Sequence, residues 1–347
     1  MLSPNELRRI VAAADDAGAR GAGAALATVV AVDGSSYRRP GARMLVLDDG
    51  ATVGGVSGGC LEADVRRKAA FAMIDGHARV VRYDTSDEDD GGFGTGLGCG
   101  GVIDILIEPL ASGPGRRHVE ALRAALASRR PLALGLRIAG PVERLGVIDD
   151  GDPVRGTVFV DHLVPIPRLI AVGAGPDVEP LAACAVALGH EVVVIDERPG
   201  YLHRRRLPEP VVCATSLTGL GRWQPDEHTA CVVATHHVGY DARAVEHLLR
   251  TPAMYLGLLG PRHRTARVMA EVRRAAPQLA VTDRFRAPVG LDLGGTTPEQ
   301  IALAILAEIE AVRNRRAAGF LRDRAGPIHE ATPESAHAAP PGEERPA

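Results

Sequence analysis

The chain has 347 residues, a formal net charge of −3, 46% hydrophobic residues and 24% charged residues. This length predicts two domains, each with its own hydrophobic core. The slightly acidic charge excludes the basic surface of a nucleic-acid-binding protein, and no apolar run reaches the roughly 18 residues of a membrane span. Aromatic residues make up only 3%, so small aliphatic side chains must fill the cores, which favours parallel α/β layers.

Cysteine spacing and the N-terminal sequence exclude further classes of protein. The five cysteines form no Cys-x-x-Cys pair, so the sequence predicts neither a structural zinc site nor a disulfide framework. Cys184, Cys213 and Cys231 lie within apolar patterns and are predicted to be inert core residues. The segment Met1–Glu6 lacks the features of a signal peptide, so we expect a cytoplasmic protein.

The N-terminal part, residues 1–163, predicts a mixed α/β domain. Ser3 as N-cap, Pro4 in the first turn and Glu6 three residues after the cap predict the start of a helix over Asn5–Ala17. The next predicted elements are strand Ala24–Val32, hairpin Arg43–Val53, helix Leu61–Ile74 and strands Arg79–Tyr83 and Val102–Ile107. A helix from Arg116 to Arg130 and the strands after it either complete this domain or form a small subdomain over 116–163.

The C-terminal part begins after a linker with two prolines, Val164–Pro167. From Arg168 onwards, strand-like and helix-like segments alternate as far as Arg316. This alternation predicts a Rossmann-like domain, a doubly wound parallel sheet, over residues 168–323. The segment 324–347 is rich in Pro, Glu, Ala and Ser and is predicted to be a disordered tail.

Two glycine-rich loops point to a ligand site in the N-terminal domain. The first glycine loop, Gly54–Glu62, lies between a strand and a helix, and the second, Gly94–Gly101, contains Cys99. Glycines there let backbone N–H groups approach a phosphate or another anion. The candidate contact residues of the first loop are Gly58, Gly59, Cys60 and Glu62. For one such loop a simple chain-reversing turn is an equal alternative, but two loops with one cysteine each favour a site.

Cys60 and Cys99 differ from the other cysteines because they lie in these loops. Cys60 is close to a predicted helix N-terminus, which stabilises a thiolate. Two thiolates are suited to a soft metal or a sulfur-rich cofactor.

A dinucleotide-binding fingerprint opens the C-terminal domain. Gly173-x-Gly175 follows a buried strand and precedes a helix, and Asp196 follows the next strand. In this pattern the glycine turn holds a pyrophosphate and the acidic residue accepts hydrogen bonds from a ribose diol, which favours NAD over NADP. Val178 stands where the third glycine belongs, so the alternative is a Rossmann sheet with no bound nucleotide.

Further polar residues follow predicted strands at the edge where open α/β sheets bind ligands. His236 is a candidate base or a candidate hydrogen-bond donor to a phosphate, with Asp241 either capping the next helix or orienting the imidazole. Arg262, in the basic run Gly260–Arg264, is a candidate anion clamp. The alternatives are a polar loop at a helix start and ordinary surface basicity.

Several segments, in order over nearly the whole chain, carry a family resemblance. They are Asp33–Met44, Val53–Glu62, Gly98–Gly101, Glu108–Leu110, Gly173–Gly175, Thr235-His236 with Asp241, Tyr255–Arg262 and Pro288–Glu299. Together they resemble the xanthine dehydrogenase accessory proteins of the XdhC/CoxI family. The chain departs from the family at Tyr37, where Pro is usual, and at Pro261–Arg264, where a Ser-Arg-Arg-Lys type sequence is more common.

The resemblance implies an accessory protein that matures molybdenum hydroxylases. Such a protein would bind the molybdenum cofactor (molybdopterin), protect it while its terminal sulfur is installed, and insert it into a xanthine dehydrogenase-type apoenzyme. A cysteine desulfurase is a further implied partner. The residues implied as cofactor contacts are Arg38, Gly59, Cys60, Glu62 and Cys99. The resemblance leaves open whether Cys60 ligates molybdenum, relays sulfur or only packs.

Two other interpretations come from the C-terminal domain. An NAD(P)-dependent oxidoreductase would use Gly173–Asp196 and His236, and a dinucleotide form of the molybdenum cofactor would place its nucleotide half there. We also expect a homodimer, because symmetric dimers are the commonest soluble assembly.

Overall fold

The computed structural model describes residues 2–84, 101–137, 143–147, 158–202 and 206–325. The chain divides into two compact units, with the boundary between Pro165 and Ile166. The second glycine loop as far as Gly100, including Cys99, lies outside the described residues, as does the predicted tail beyond Ala325.

A five-stranded antiparallel sheet forms the centre of the N-terminal unit. Its strands are β1 (Ala24–Gly34), β2 (Arg43–Leu47), β3 (Thr52–Gly54), β4 (Arg79–Asp84) and β5 (Gly101–Pro109). They lie in the order β3-β2-β1-β5-β4, and the predicted hairpin is the β2–β3 pair. The predicted mixed α/β class is confirmed for this unit, but its strands are antiparallel, whereas the composition favours parallel layers. The run of small apolar residues in β1 reflects burial on both faces, which an antiparallel strand covered by helices also requires.

Helices cover both faces of this sheet. Helices α1 (Pro4–Arg20) and α3 (Gly113–Ala127) pack on one face, and α2 (Glu62–Asp75) packs on the other. The predicted capping box at Ser3 and Glu6 is confirmed. Helix α3 begins three residues earlier than predicted, because the Ser112 side chain accepts a hydrogen bond from the Gly115 N–H and caps it.

A separate three-stranded antiparallel sheet completes the N-terminal unit. It consists of β6 (Leu132–Arg137), β7 (Glu143–Val147) and β8 (Val158–Leu163) in the order β7-β6-β8. An ion pair between Arg43 of β2 and Asp161 of β8 joins it to the five-stranded sheet.

The C-terminal unit is a Rossmann-like domain, as the alternating pattern predicts. Its six parallel strands are β9 (Arg168–Val172), β10 (Glu191–Ile195), β11 (Val212–Ala214), β12 (Thr229–Val233), β13 (Tyr255–Leu258) and β14 (Phe285–Arg286). They lie in the order β11-β10-β9-β12-β13-β14. The strand order reverses between β9 and β12. Such sheets bind ligands at this point, outside the carboxyl ends of the strands.

Helices pack on both faces of the parallel sheet. They are α4 (Val178–Ala187), α5 (Pro199–Leu202), α6 (Val238–Leu249), α7 (Arg262–Ala275) and α8 (Pro298–Arg313), with short 3-10 helices at Gly221–Trp223 and Leu321–Asp323. Helices α6 and α7 bury one face and α4 and α8 the other. Thr297 caps α8 as predicted, and Gln300 completes its capping box. In the described ranges, none of the helices has the length and apolar character needed to cross a bilayer.

The predicted core cysteines have different environments. Cys231 is fully buried in β12, and burial raises the pKa of its thiol to about 12. Cys184 is half-buried, whereas Cys213 is exposed. The core prediction is therefore wrong for Cys213, because its strand β11 is a short edge strand of the sheet.

Candidate functional site

The first glycine loop is fixed to strand β2 where it begins. Gly54 has a φ of +85°, and a Cβ there would lie 2.4 Å from the carbonyl oxygen of Arg43. The same oxygen accepts a hydrogen bond from the Gly55 N–H at 2.9 Å. Only glycine fits at position 54, because both the backbone conformation and the close approach exclude a side chain.

The Glu62 carboxylate occupies the centre of the loop. It accepts hydrogen bonds from the Val56 N–H at 3.2 Å, the Ser57 N–H at 2.8 Å and the Ser57 hydroxyl. Burial raises the pKa of this carboxyl, but the hydrogen bonds from Ser57 and Val56 outweigh burial and hold the pKa below its usual value. Glu62 is therefore a structural anion inside the loop.

The Ser57 hydroxyl fixes the other half of the loop. Its oxygen accepts hydrogen bonds from the N–H groups of Gly59 and Leu61, both at 3.1 Å. Four of the loop's amides are thus bound by its own side chains. Within the described part of the chain, the N–H groups of Gly58 and Cys60 have no acceptor. These two amides remain for a ligand, and the Cys60 side chain beside them in the sequence is half-buried.

The segment Ser36–Arg39 lies beside the first glycine loop. The exposed ring of Tyr37 covers Gly58, because a Cβ at Gly58 would lie 3.4 Å from Tyr37 Cγ. Of the described residues, seven have a buried side-chain nitrogen or oxygen without a hydrogen-bond partner, and three of these atoms are Ser36 Oγ, Arg38 Nε and Arg39 Nε. Buried polar atoms normally have partners, so this cluster is a candidate ligand contact.

Arg38 also has a structural partner. Its Nη2 donates to Glu6 Oε1 at 2.8 Å, and both side chains are largely buried. Burial raises the pKa of the Glu6 carboxyl, but its hydrogen bonds with Ser3 and Arg38 outweigh burial. The pKa therefore lies below its usual value. Arg38 thus holds the Ser36–Arg39 segment against α1, while Arg39 forms no ion pair among the described residues.

A buried polar network that the sequence analysis missed includes Arg43, whose carbonyl oxygen binds the Gly55 N–H of the loop. Arg43, His118 and Glu108 are all at most 2% exposed. Arg43 Nε donates to His118 Nε2 at 3.4 Å, and His118 Nδ1 lies 2.8 Å from Glu108 Oε2. Because Nε2 accepts from Arg43, the imidazole proton belongs on Nδ1 and is donated to Glu108. The sequence does contain a signal for this network, because Arg43 and Glu108 are charged residues inside otherwise apolar strands.

The predicted soft-metal pair Cys60 and Cys99 stays a prediction, since Cys99 lies outside the described residues. In the ranges that are described, no group of three or more His, Cys, Asp or Glu side chains is arranged to hold a metal ion.

In the C-terminal unit, the glycine turn is tightly packed. Gly173 has a φ of +112°, and a Cβ there would lie 2.5 Å from the Ala234 carbonyl oxygen. The His236 ring covers Gly175, where a Cβ would lie 3.4 Å from His236 Cδ2. His236 has a φ of 59° and its Nε2 lies 3.0 Å from Asp177 Oδ2. The structure therefore brings His236 to the turn that the sequence assigned to a pyrophosphate.

Asp196 is already bound within the chain. It is 3% exposed and accepts hydrogen bonds from Ala174 N–H at 2.8 Å and from Arg198 Nε and Nη2 at 2.8 and 2.9 Å. Burial raises its pKa, but the hydrogen bonds from Arg198 and Ala174 outweigh this and lower the pKa below its usual value. The Arg198 guanidinium stacks 3.8 Å from the Tyr201 ring centroid. Arg198 thus binds the Asp196 carboxylate that the sequence pattern assigns to the hydroxyls of a ribose.

The predicted roles of Asp241 are wrong. Its carboxylate accepts hydrogen bonds from the Thr235 hydroxyl at 2.6 Å and from Arg264, and it is fully buried. The cap of α6 is the His237 side chain, which accepts from the Tyr240 N–H. Asp241 neither caps this helix nor orients His236. Its partner Arg264 is 23 residues away, a distance that no local pattern indicates.

Arg262 is the first residue of α7 and is exposed. The ion pair with Asp241 is made by Arg264 of the same basic run and not by Arg262. The role of Arg262 as an anion clamp stays a prediction.

Comparison with known proteins matches both units to described families. Residues 169–309 match the XdhC Rossmann domain, and residues 17–84 match the XdhC and CoxI family. The first match contains Gly173, Gly175 and Asp196, and the second contains Arg38 and the first glycine loop.

Individual relatives cover most of the chain. A Bacillus subtilis protein, named as a probable subunit of xanthine dehydrogenase, is 33% identical over 318 residues, which are 84% of this chain and 94% of the relative. The molybdenum cofactor insertion chaperone PaoD of Escherichia coli is 27% identical over 310 residues, 88% of each chain. A crystal structure of a xanthine dehydrogenase from Bacillus halodurans is 29% identical, with a TM-score of 0.73, and the match covers 90% of this chain and 98% of that one.

Proposed function

Because the chain belongs to the XdhC and CoxI family, we propose that it is an accessory protein that binds the molybdenum cofactor as cargo and inserts it into a xanthine dehydrogenase-type molybdenum hydroxylase. The name of the Escherichia coli relative, a molybdenum cofactor insertion chaperone, supports this role. The observation that carries the proposal is the cluster of unpartnered polar atoms at Ser36, Arg38 and Arg39 beside the first glycine loop.

These donors fit the chemistry of the cargo. Molybdopterin carries an anionic phosphate, and guanidinium groups, hydroxyls and free backbone N–H groups are the donors that bind phosphate. Arg39, Ser36 and the amides of Gly58 and Cys60 supply such donors. The Cys60 thiol, close to the start of α2, is a soft ligand suited to a molybdenum–sulfur group.

The remaining residues of the site position these donors. Glu62 and Ser57 hold the loop from within, and Arg43 holds its first residues through its carbonyl oxygen. The loop therefore needs little ordering when a ligand binds, which favours affinity.

Cofactor binding is tested on protein purified from a host that makes the cofactor. We expect molybdenum and pterin to copurify with the wild type, and Arg39→Ala and Cys60→Ala to lose most of both. Cys184→Ala is the matched control, because it removes another half-buried free thiol from the other unit. Equal cofactor content in Cys60→Ala and Cys184→Ala would contradict the placement of the site.

Insertion is tested in cells that lack this protein but contain the apo-hydroxylase. Supplying the wild type should restore hydroxylase activity, and supplying Cys60→Ala should not, at equal protein levels. Full activity with a Cys60→Ala, Arg39→Ala double variant would show that delivery does not use this loop.

Nucleotide binding at Gly173–Asp196 is a second candidate, favoured by the strand order of the C-terminal sheet. It requires Arg198 to leave Asp196 and His236 to move from Gly175. These two movements would be needed for NAD-dependent oxidoreductase activity. They would also be needed for binding the nucleotide half of a dinucleotide cofactor. Calorimetric titration of wild type and Arg198→Ala with NAD and NADP tests it, and absence of binding by both proteins would reject it.

Two partners implied above remain proposals of the same kind. A cysteine desulfurase would supply the terminal sulfur, and pull-down of the desulfurase with wild type but not with Cys60→Ala would support that. Light scattering of the purified protein tests the homodimer.

A further inference from the structure

An open cleft of about 300 Å³ lies at the carboxyl end of strands β13 and β14. One wall is the turn Leu259–Pro261, another is the segment Pro288–Gly295, and helix α8 closes the third side with Ile301 and Ala304. We call Pro288–Gly295 the cleft loop. The volume is at the lower end of small-molecule sites. Of the roles given above, only that of Arg262 as an anion clamp lies near this cleft, because Pro261 is part of its lining.

The cleft loop is held in place from below. The Gly290 N–H and the Tyr255 hydroxyl both donate to Glu308 Oε2, at 2.8 and 2.6 Å. The Leu291 N–H donates to the Ala304 carbonyl at 3.1 Å. Gly290 and Gly294 have φ values of +102° and +72°, which favour glycine. The cleft is thus a built feature of the fold.

Free backbone donors lie along the cleft. Among the residues that the structure describes, the N–H groups of Gly260, Asp292, Gly294 and Gly295 have no acceptor, and all four residues line the cleft. Concave sets of free amides in glycine-rich loops bind anions such as phosphate.

The charges around the cleft are consistent with an anion. Pro261, on the cleft wall, is the N-cap of α7, and the first turn of that helix contains basic residues and no acidic residue. Arg262 directly follows Pro261 and is exposed. The Asp292 carboxylate is the opposing charge on the lining.

The remaining lining is apolar. Leu259, Val289, Leu291, Ile301 and Ala304 supply aliphatic surface, which suits a ring or short hydrocarbon group rather than a second charged group. We propose that the cleft binds a small phosphorylated molecule with an apolar or planar body, whose phosphate is bound by the free amides and Arg262. This proposal does not depend on the cofactor site of the N-terminal unit.

The first experiment uses phenyl phosphate as the probe, which combines a phosphate with a planar apolar body. In calorimetric titrations of the full-length protein, we expect phenyl phosphate to bind more tightly than inorganic phosphate, and benzyl alcohol not to bind at millimolar concentration. The proposal is overturned if phenyl phosphate does not bind at millimolar concentration, or if benzyl alcohol binds equally well.

The second experiment locates the site by charge. Arg262→Ala should weaken phenyl phosphate binding about tenfold, because it removes a charge-assisted contact. Asp292→Asn should tighten binding a few-fold by removing the like charge. Arg267→Ala, at another exposed position of α7, is the matched control and should change affinity less than about twofold.

Opposite shifts in Arg262→Ala and Asp292→Asn would not arise from general destabilisation, and circular dichroism confirms that each variant is folded. Equal affinities in all three variants would overturn the placement. Arg39→Ala, which removes a phosphate donor of the N-terminal site, should bind phenyl phosphate like the wild type, so failure of the cofactor proposal would leave this result unchanged.

Discussion

The first glycine loop and the cleft loop have similar compositions but use their backbone amides differently. In the first loop, Glu62 and Ser57 accept hydrogen bonds from four amides. In the cleft loop, Glu308 accepts from one amide, at Gly290, and several lining amides stay free. A glycine-rich sequence therefore predicts a backbone that can bind an anion, but the nearby side chains decide whether its amides are already occupied.

The two loops also place their glutamates differently. Glu62 lies at the start of the helix that follows the loop directly, so it reaches into the loop's centre. Glu308 lies almost three turns into α8 and reaches only the start of the cleft loop. The first loop is therefore closed around its own anion, and the cleft loop is open at its tip.

The largest expected effect comes from the anchor of the first loop. Gly54→Ala should lower the free energy of unfolding by about 3 kcal/mol or more, because its Cβ meets the Arg43 carbonyl and its φ is left-handed. Chemical denaturation followed by circular dichroism measures this. Gly59→Ala is the control, since a Cβ there has nothing within 4 Å and only the strain of about 1–2 kcal/mol applies. Equal losses would show that close approach to β2 does not hold the loop.

Glu62→Gln tests whether the loop depends on its internal anion. We expect a loss of about 2 kcal/mol, because two amides and a hydroxyl lose a charged acceptor. The isosteric amide retains the volume, so the loss reports charge and acceptor capacity. Denaturation midpoints for Glu62→Gln and for Glu299→Gln, an exposed glutamate in the first turn of α8, separate this from a general effect of charge removal.

The stability difference between the wild type and Glu62→Gln should depend on pH with a defined sign. The pKa of Glu62 is lower in the folded protein than its usual value of 4.5, so its stabilisation is present above that value and is lost as pH falls through the folded pKa. The stability difference between wild type and Glu62→Gln should shrink as pH decreases below about 4.5. A difference that stays constant down to the acid transition would refute this.

Tyr255→Phe tests the anchor of the cleft loop and should have a smaller effect, about 1 kcal/mol, because Glu308 keeps the Gly290 amide as a partner. Burial and the neighbouring Glu308 both raise the pKa of the Tyr255 phenol. Its absorbance should therefore not change with the exposed tyrosines in an alkaline titration, and difference spectra against Tyr255→Phe measure that.

The smallest expected change in stability is that of Cys60→Ala, within about 0.5 kcal/mol, because the thiol is only half-buried. Against this, the proposed function predicts a large loss of bound molybdenum. A large loss of stability instead would mean that Cys60 packs and does not bind cargo.

Local patterns predicted the elements, and long-range partners decided the rest. The capping residues Ser3 and Thr297 were predictable because a cap and its partner lie three residues apart. The pairs Asp196–Arg198 and Asp241–Arg264 were not predicted, although Arg198 is close in sequence, because a carboxylate's partner depends on side-chain packing. The antiparallel sheet of the N-terminal unit was missed for a related reason, since apolar runs indicate burial and not strand direction.

Arg43 has a consequence for the order in which the chain can fold during synthesis. Its carbonyl oxygen fixes Gly54 and Gly55, whereas its buried guanidinium needs Asp161, which lies 118 residues further along. A nascent chain that ends before β8 therefore has a charged group in its core with no carboxylate partner from β8, and burying a charge without its partner is strongly unfavourable. We therefore expect the first glycine loop to reach its final geometry only after β8 has been made, although all residues of the loop are synthesised early.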